Sequence, residues 1–231
     1  MSFDNRHERL GPVSVDQEKR LAAQAAAELV EDGMRVGLGS GSTVAFLLPA
    51  LAARGLRLSC VSTSPQTTRV ARELGVTVES FEGTGALDEL DIAIDGADQV
   101  DPSGWLVKGG GAAHTREKAV AAAADRFVVI VSSDKPVERL TPPIPLELLE
   151  FGLAGTLKRL GTVRLRDVPR SPDGGVIADF TGEFSDPEKL AAELSAAVGV
   201  VDHGLFPPAL VTDVLIGRGT DVEHIEVGSR A

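Results

Sequence analysis

Between residues 35 and 131, short apolar runs of strand length alternate with segments of helical periodicity, and this alternation narrows the possible folds more than any other feature of the chain. The runs are Arg35-Val36-Gly37-Leu38, Leu58-Ser59-Cys60-Val61, Leu90-Asp91-Ile92-Ala93-Ile94, Trp105-Leu106-Val107 and Phe127-Val128-Val129-Ile130-Val131. Helices are predicted over residues 15–32, rich in alanine, and over 44–53, 65–74 and 113–124. Strands separated by helices pair in parallel through crossovers, so the pattern predicts an α/β fold with a doubly wound, mostly parallel, Rossmann-like sheet. The proline cluster Thr141-Pro142-Pro143-Ile144-Pro145 is read as a crossing into a smaller lobe. There a helix over 152–160, strands over 162–165 and 176–180, an Asp173-Gly174-Gly175 turn and a helix over 187–197 predict an α+β sandwich with a hairpin. Residues 211–216 form another strand candidate, and residues 1 to about 13, which have no clear period, are expected to be mobile.

One strand-to-helix unit of this pattern holds an unusual set of side chains. Asp95 follows the run 90–94, Asp98 closes the turn Asp95-Gly96-Ala97-Asp98, Lys108 opens Lys108-Gly109-Gly110-Gly111, and Glu117 falls in or near the first turn of the next helix. Open α/β sheets bind ligands beyond the carboxyl ends of their strands, where Asp95 would stand. Three glycines let backbone N–H groups approach a ligand with no Cβ in the way. Asp-Gly and Gly-Gly also punctuate ordinary turns, but a plain turn needs neither the lysine beside three glycines nor the carboxylate beyond them. The set suits proton transfer on a small polar molecule.

A second loop lies upstream. Gly39-Ser40-Gly41-Ser42-Thr43 joins a strand to a helix whose start carries hydroxyls, an arrangement that suits phosphate as well as a simple N-cap. A nicotinamide dinucleotide site fits poorly: the third glycine of G-x-G-x-x-G is displaced, and Leu58-Ser59-Cys60-Val61 runs into Ser62-Thr63-Ser64 instead of presenting an acid. With no Gly-Lys-Ser/Thr, a nucleoside triphosphate loop is excluded. Ser62-Thr63-Ser64 is read as the cap of the helix from Pro65 and as a candidate border of the ligand.

Taken together, Gly37-Leu38-Gly39-Ser40-Gly41-Ser42-Thr43, Thr63-Ser64, Asp95-Gly96-Ala97-Asp98, Lys108-Gly109-Gly110-Gly111 and Arg116-Glu117-Lys118 resemble, in order and spacing, the type A ribose-5-phosphate isomerases. The resemblance reaches from the first helix to the last strand and includes Gly199-Val200-Val201-Asp202-His203-Gly204-Leu205-Phe206. It implies interconversion of D-ribose 5-phosphate and D-ribulose 5-phosphate through an enediolate, in the non-oxidative pentose phosphate pathway, with no metal and no organic cofactor, in a homodimer or homotetramer. By the same resemblance Glu117 is the general base between C2 and C1. Asp95 and Lys108 handle protons on the sugar oxygens and meet the oxyanion, with Asp95 also assisting ring opening. Asp98 holds sugar hydroxyls beside Gly96 and Ala97, and Gly109, Gly110 and Gly111 line the substrate. Ser40, Gly41, Ser42 and Thr43 form the phosphate loop, while Lys135 and, more loosely aligned, Lys19 reach the ligand. The resemblance also returns residues 211–231 to a catalytic domain of residues 1–141, leaving 142–210 as the smaller domain. This chain departs from the pattern at Ser40 for Thr, Gln99 for Glu, His114 for Leu, and Ser132-Ser133-Asp134-Lys135 for Asp-x-Ser-Lys. His114 is read as a packed or surface residue.

Composition bounds these readings. The 34 acidic against 23 basic residues, a formal charge of −11, argue against nucleic acid or an anionic membrane as partner, so a phosphorylated substrate must be drawn in by local charge such as Lys108 and Lys135. Four histidines, His7, His114, His203 and His224, have no local metal-binding spacing, and the single Cys60 is expected to be a buried structural thiol. The absence of a signal peptide or membrane-length apolar run gives a cytoplasmic expectation. Other readings stay open: an isomerase of another aldose phosphate, or a non-catalytic sugar-phosphate-sensing module, although the stretch before the first strand is too short and acidic for a DNA-reading helix-turn-helix. An acyl-CoA transferase with a glutamate nucleophile explains the Lys108 loop less well.

Overall fold

The computed structural model describes residues 14–228; the expectation for residues 1 to about 13 lies outside them. The chain runs α1 (Val15–Glu28), β1 (Arg35–Leu38), α2 (Gly41–Ala53), β2 (Ser59–Ser62), α3 (Pro65–Glu73), β3 (Leu90–Asp95), β4 (Gln99–Val100), β5 (Leu106–Val107), α4 (His114–Ala123) and β6 (Ala124–Ser132). It continues through β7 (Ile144–Leu148), α5 (Leu153–Leu160), β8 (Val163–Leu165), β9 (Val176–Phe180), α6 (Pro187–Ala196), β10 (Val200–His203), β11 (Leu205–Phe206), β12 (Asp213–Arg218) and β13 (Asp221–Glu226).

The main sheet has the order β13-β12-β6-β3-β1-β2, parallel throughout except for the edge strand β13. Its inner strands β1, β3, β6 and β12 are largely buried on both faces, and the period-two alternation assigns side chains to opposite cores. Ile92, Ile94, Val128 and Ile130 pack beneath Ala22, Ala23, Ala26 and Ala27 of α1 and Leu47, Leu48 and Leu51 of α2. Ala93, Phe127, Val129 and Val131 face the other way, against Val120 and Ala121 of α4 and Phe206. From β1 the chain moves outward to β2, then returns to the other side of β1 as β3. That reversal opens a crevice at the carboxyl ends of β1 and β3, the place where such sheets bind ligands.

A four-stranded antiparallel sheet, β10-β7-β9-β8, forms a separate core with α6 through Leu146, Leu148, Ala178, Leu190 and Leu194. The short sheet β11-β5-β4 links the two. The expected α/β class and mostly parallel sheet are therefore present, with an antiparallel unit beside them.

Several boundaries differ from the sequence reading. The first helix ends at Glu28, because Gly33 turns the chain with a φ of 88° and donates to the Arg57 carbonyl. The proline cluster is no mere crossing, since Ile144–Leu148 pairs on both sides as β7. Pro145 is tolerated there because its missing N–H falls where β10 ends: the Gly204 N–H bonds the Pro145 carbonyl at 2.7 Å, and the Gly204 carbonyl turns to the Lys108 N–H at 2.8 Å. The strand expected over 211–216 lies at Asp213–Arg218.

Candidate active site

Glycine at position 39 lets two strand ends meet. Its N–H bonds the Ile94 carbonyl at 3.0 Å, and a Cβ there would stand 2.0 Å from the Asp95 carboxyl group. Ser40, next along, occupies the N-cap position of α2 without capping it. Its N–H donates to Asp95 Oδ1 at 3.0 Å and its hydroxyl to Glu117 Oε1 at 2.5 Å. The first-turn amides of α2 consequently keep no side-chain cap, which is the condition an anion site needs.

Lys108 emerges from β5 and is buried with its two acidic partners. Its Nζ lies 2.9 Å from Asp95 Oδ2 and 3.1 Å from Glu117 Oε2, and donates to the Gly96 carbonyl at 2.5 Å. Lys108, Asp95 and Glu117 are only 3, 3 and 5% exposed. The two carboxylate oxygens that face Nζ receive no aligned hydrogen bond, so the contact is one of charge, with the directed bond going to Gly96. Burial, then the neighbouring Glu117 charge, pushes the Asp95 carboxyl up to about 7 against the pull of Lys108. For Lys108, burial works against the ammonium, but Asp95 and Glu117 outweigh it and raise the pKa above the ordinary lysine value.

This imbalance has a consequence for stability. An ordinary unfolded aspartate titrates near ~4, so between there and about 7 the native state binds the extra proton, and stability attributable to Asp95 is lost as pH rises. Asp95→Asn should therefore gain melting temperature over the unsubstituted chain progressively from pH ~4 to ~7 and hold a constant gain above that. Thermal melts of the ligand-free proteins across this range check it; a gain that shrinks as pH rises would contradict the assignment.

Around these groups lies a cleft of about 140 Å³ lined by Lys19, Ser40, Gly41, Ser42, Thr43, Gly96, Ala97, Asp98, Lys108, Gly109, Gly110, Gly111, Glu117 and Lys135. The residues expected to touch substrate thus gather in one place except Asp95, which is buried against Lys108, and the candidate border Ser62-Thr63-Ser64. Asp98 uses Oδ2 to accept the Gly110 N–H at 2.8 Å, so it also shapes the glycine loop. Ser64 does cap α3, accepting from the Thr67 N–H at 3.1 Å, but Ser62, Thr63 and Ser64 do not line the cleft. Gln99 is turned away to Thr141, while Ser133 bonds Glu18 through both N–H and hydroxyl. Glu18 also accepts from the Gly219 N–H and so pins α1, with Lys19 beside it, over the carboxyl ends of β6 and β12.

Helix α4 is gripped on the sides that Glu117 does not use. Thr115 donates to the buried Glu147, Arg116 binds Asp173, and Lys118 contacts Asp202 and the His203 carbonyl. The Phe206 ring neighbours both lysines, its centre 5.5 Å from Lys108 Nζ and 5.1 Å from Lys118 Nζ. His114 is fully buried against Gly109, where a Cβ would come within 2.6 Å of its Nδ1, and burial lowers its pKa; it is a packed residue. Sequence reasoning missed the Ser40–Glu117 bond, the Glu18 anchor and Arg166. No local motif marks them, because each joins segments far apart in the chain.

A family profile described as ribose 5-phosphate isomerase A (phosphoriboisomerase A) matches residues 59–221. The chain belongs to that family. The ribose-5-phosphate isomerase A of Caulobacter vibrioides is 43% identical over 230 residues, covering 93% of this chain and 100% of the relative. Among crystal structures, ribose 5-phosphate isomerase A from Neisseria gonorrhoeae superposes with a TM-score of 0.88 at 30% identity, covering 94% of this chain and all of that one. A D-ribose-5-phosphate isomerase in complex with phospho-erythronic acid superposes at 0.85 with 32% identity, covering 92% and 99% of the two chains. Within a ribose 5-phosphate isomerase A framework, Ser40 has a physical reading: it keeps the hydroxyl that reaches Glu117.

Proposed function

We infer that the chain interconverts D-ribose 5-phosphate and D-ribulose 5-phosphate by proton transfer through an enediolate. The observation that carries this reading is the buried Lys108 ammonium held between Asp95 and Glu117 at the wall of a cleft whose rim is the uncapped start of α2. A carbon acid beside a carbonyl ionises only when a base is in reach and the oxyanion is met by preorganised charge. Glu117 is assigned as the base that moves the proton between C2 and C1, and Lys108 as the cation that meets the enediolate oxygens. Asp95, poised near neutrality and touching Lys108, is assigned as the proton store for oxygen transfers and ring opening. Asp98 with Gly96, Ala97 and the glycine loop is assigned to the sugar hydroxyls, and Ser40 to Thr43 with Lys135 to the phosphate end.

The bound phospho-erythronic acid of one relative, a phosphorylated sugar acid, supports a sugar phosphate as ligand. An assay of the purified chain on ribose 5-phosphate beside arabinose 5-phosphate and a hexose phosphate tests the reading. Turnover of ribose 5-phosphate supports it, preference for another aldose phosphate transfers it to that sugar, and binding without turnover leaves a sensing module. The division into residues 1–141 with 211–231 and residues 142–210 belongs to the same proposal, as do a cytoplasmic location and a homodimer or homotetramer, the last checked by light scattering. Among the described residues no helix is long and apolar enough to cross a membrane.

The phosphate loop yields a separate expectation. Replacing Ser42 and Thr43 by Ala removes two hydroxyl donors and leaves the amides, so KM should rise by roughly tenfold with kcat little changed. The loss should be greater for ribose 5-phosphate than for unphosphorylated ribose, and equal losses on both sugars would take the phosphate away from this loop.

A further inference from the structure

The antiparallel unit reaches the glycine loop that walls the cleft through the Arg166 side chain. Arg166, just after β8, donates through Nη1 to the Gly109 carbonyl at 2.9 Å and to the Gly110 carbonyl at 3.2 Å. Its Nε and Nη2 are held by Asp179 Oδ1 at 2.9 and 2.6 Å, and the Asp179 side chain is 5% exposed. The guanidinium is therefore fixed on one side and grips the glycine loop on the other, a geometry that suits the rigid fork of arginine.

The grip dictates where the loop's amides point. In a planar trans peptide the C=O and the next N–H lie on opposite sides. With the Gly109 carbonyl drawn to Arg166, the Gly110 N–H is sent the other way, where Asp98 accepts it at 2.8 Å. By the same geometry the Gly110 carbonyl on Arg166 sends the Gly111 N–H away from the guanidinium, and no group among the described residues accepts it. Gly111 lines the cleft, and a Cβ on it would lie 3.9 Å from the Ser40 hydroxyl that bonds Glu117. Three glycines carry little intrinsic preference for this arrangement, so something outside the loop must hold it.

We propose that Arg166, locked by Asp179, is a positioning residue that turns the Gly111 amide toward the oxygen on which negative charge develops, making the antiparallel unit part of the isomerase site. The proposal rests on the isomerase reading given above. It assigns Arg166 no contact with substrate: the guanidinium acts through the peptide planes.

The test compares Arg166→Met, which keeps most of the buried stem, with the unsubstituted chain. The expected result is a fall in kcat of about 10- to 100-fold, with KM for ribose 5-phosphate within about threefold. Affinity for phospho-erythronic acid, whose planar anionic carboxylate resembles an enediolate, should fall in parallel with kcat, while affinity for inorganic phosphate stays unchanged. Millimolar guanidinium should restore part of the activity to Arg166→Ala. Asp179→Asn, which leaves the guanidinium in place but loosens it, should give a smaller loss of the same pattern, and it decides the matter if Arg166→Met fails to fold. Unchanged kcat, or an equal loss of phosphate and sugar-acid affinity, would overturn the proposal. The two ligand affinities are read without turnover, so a chain that binds both but does not isomerise would sink the isomerase reading and leave the Arg166 comparison intact.

Discussion

Glu117→Gln is expected to lower kcat by at least about 100-fold while leaving KM for ribose 5-phosphate and affinity for phospho-erythronic acid within about threefold. The amide has the shape of the carboxylate, and with its oxygen toward Lys108 its NH2 can donate to the Ser40 hydroxyl, so the cleft keeps its form. What disappears is the group assigned to take the proton from carbon. A second readout separates this from general damage. The Glu117 charge is one of the causes that raise the Asp95 carboxyl, so its removal should bring Asp95 down from about 7 toward the ordinary carboxylate range. Infrared titration of the Asp95 carboxyl band would follow this shift. Near-normal turnover in Glu117→Gln would remove Glu117 from the mechanism whatever the titration showed.

The parts of this site that were legible in the sequence are those built from contiguous residues. Asp95-Gly96-Ala97-Asp98 and Lys108-Gly109-Gly110-Gly111 each carry their own backbone requirements, and the apolar runs before them fix which strand ends they occupy. Glu117 could be placed because a helix start is signalled locally. What the sequence could not carry is any bond between distant segments. Ser40 reads as a helix cap until Glu117, 77 residues away, is seen to take its hydroxyl. Arg166 carries no local signal at all, and only the β8–β9 pair folds it over Gly109, 57 residues upstream. β7 was hidden for a different reason. Pro145 argues against a central strand on its own, and only the way Gly204 divides its N–H and carbonyl between Pro145 and Lys108 removes the objection. β13, mostly exposed and polar, has no apolar pattern to announce it and is held as an edge by pairing with β12.

Lys108→Ala should cost about 1,000-fold in kcat, and the reason reaches beyond the loss of one cation. With the ammonium present, Asp95 and Glu117 share a positive partner at 2.9 and 3.1 Å; without it two buried carboxylates face each other with nothing between. One of them must then hold a proton, and since Lys108 is what pulls the Asp95 carboxyl down, the variant should show Asp95 raised further. The enediolate oxygen would lose its charged partner at the same time that the acids are drawn into sharing a proton. The same ammonium bears on the choice between the two routes of aldose–ketose isomerisation. A hydride shift needs a divalent ion that polarises both oxygens, and a buried cation held between Asp95 and Glu117 would repel such an ion while attracting an enediolate. Exhaustive chelation should accordingly leave activity unchanged. If Glu117 acts as the assigned base, turnover in heavy water should place solvent deuterium on the carbon that loses its proton. Activity that is lost on chelation and regained with a divalent ion, together with product free of solvent deuterium, would replace the enediolate with a hydride shift and withdraw the roles assigned to Lys108 and Glu117.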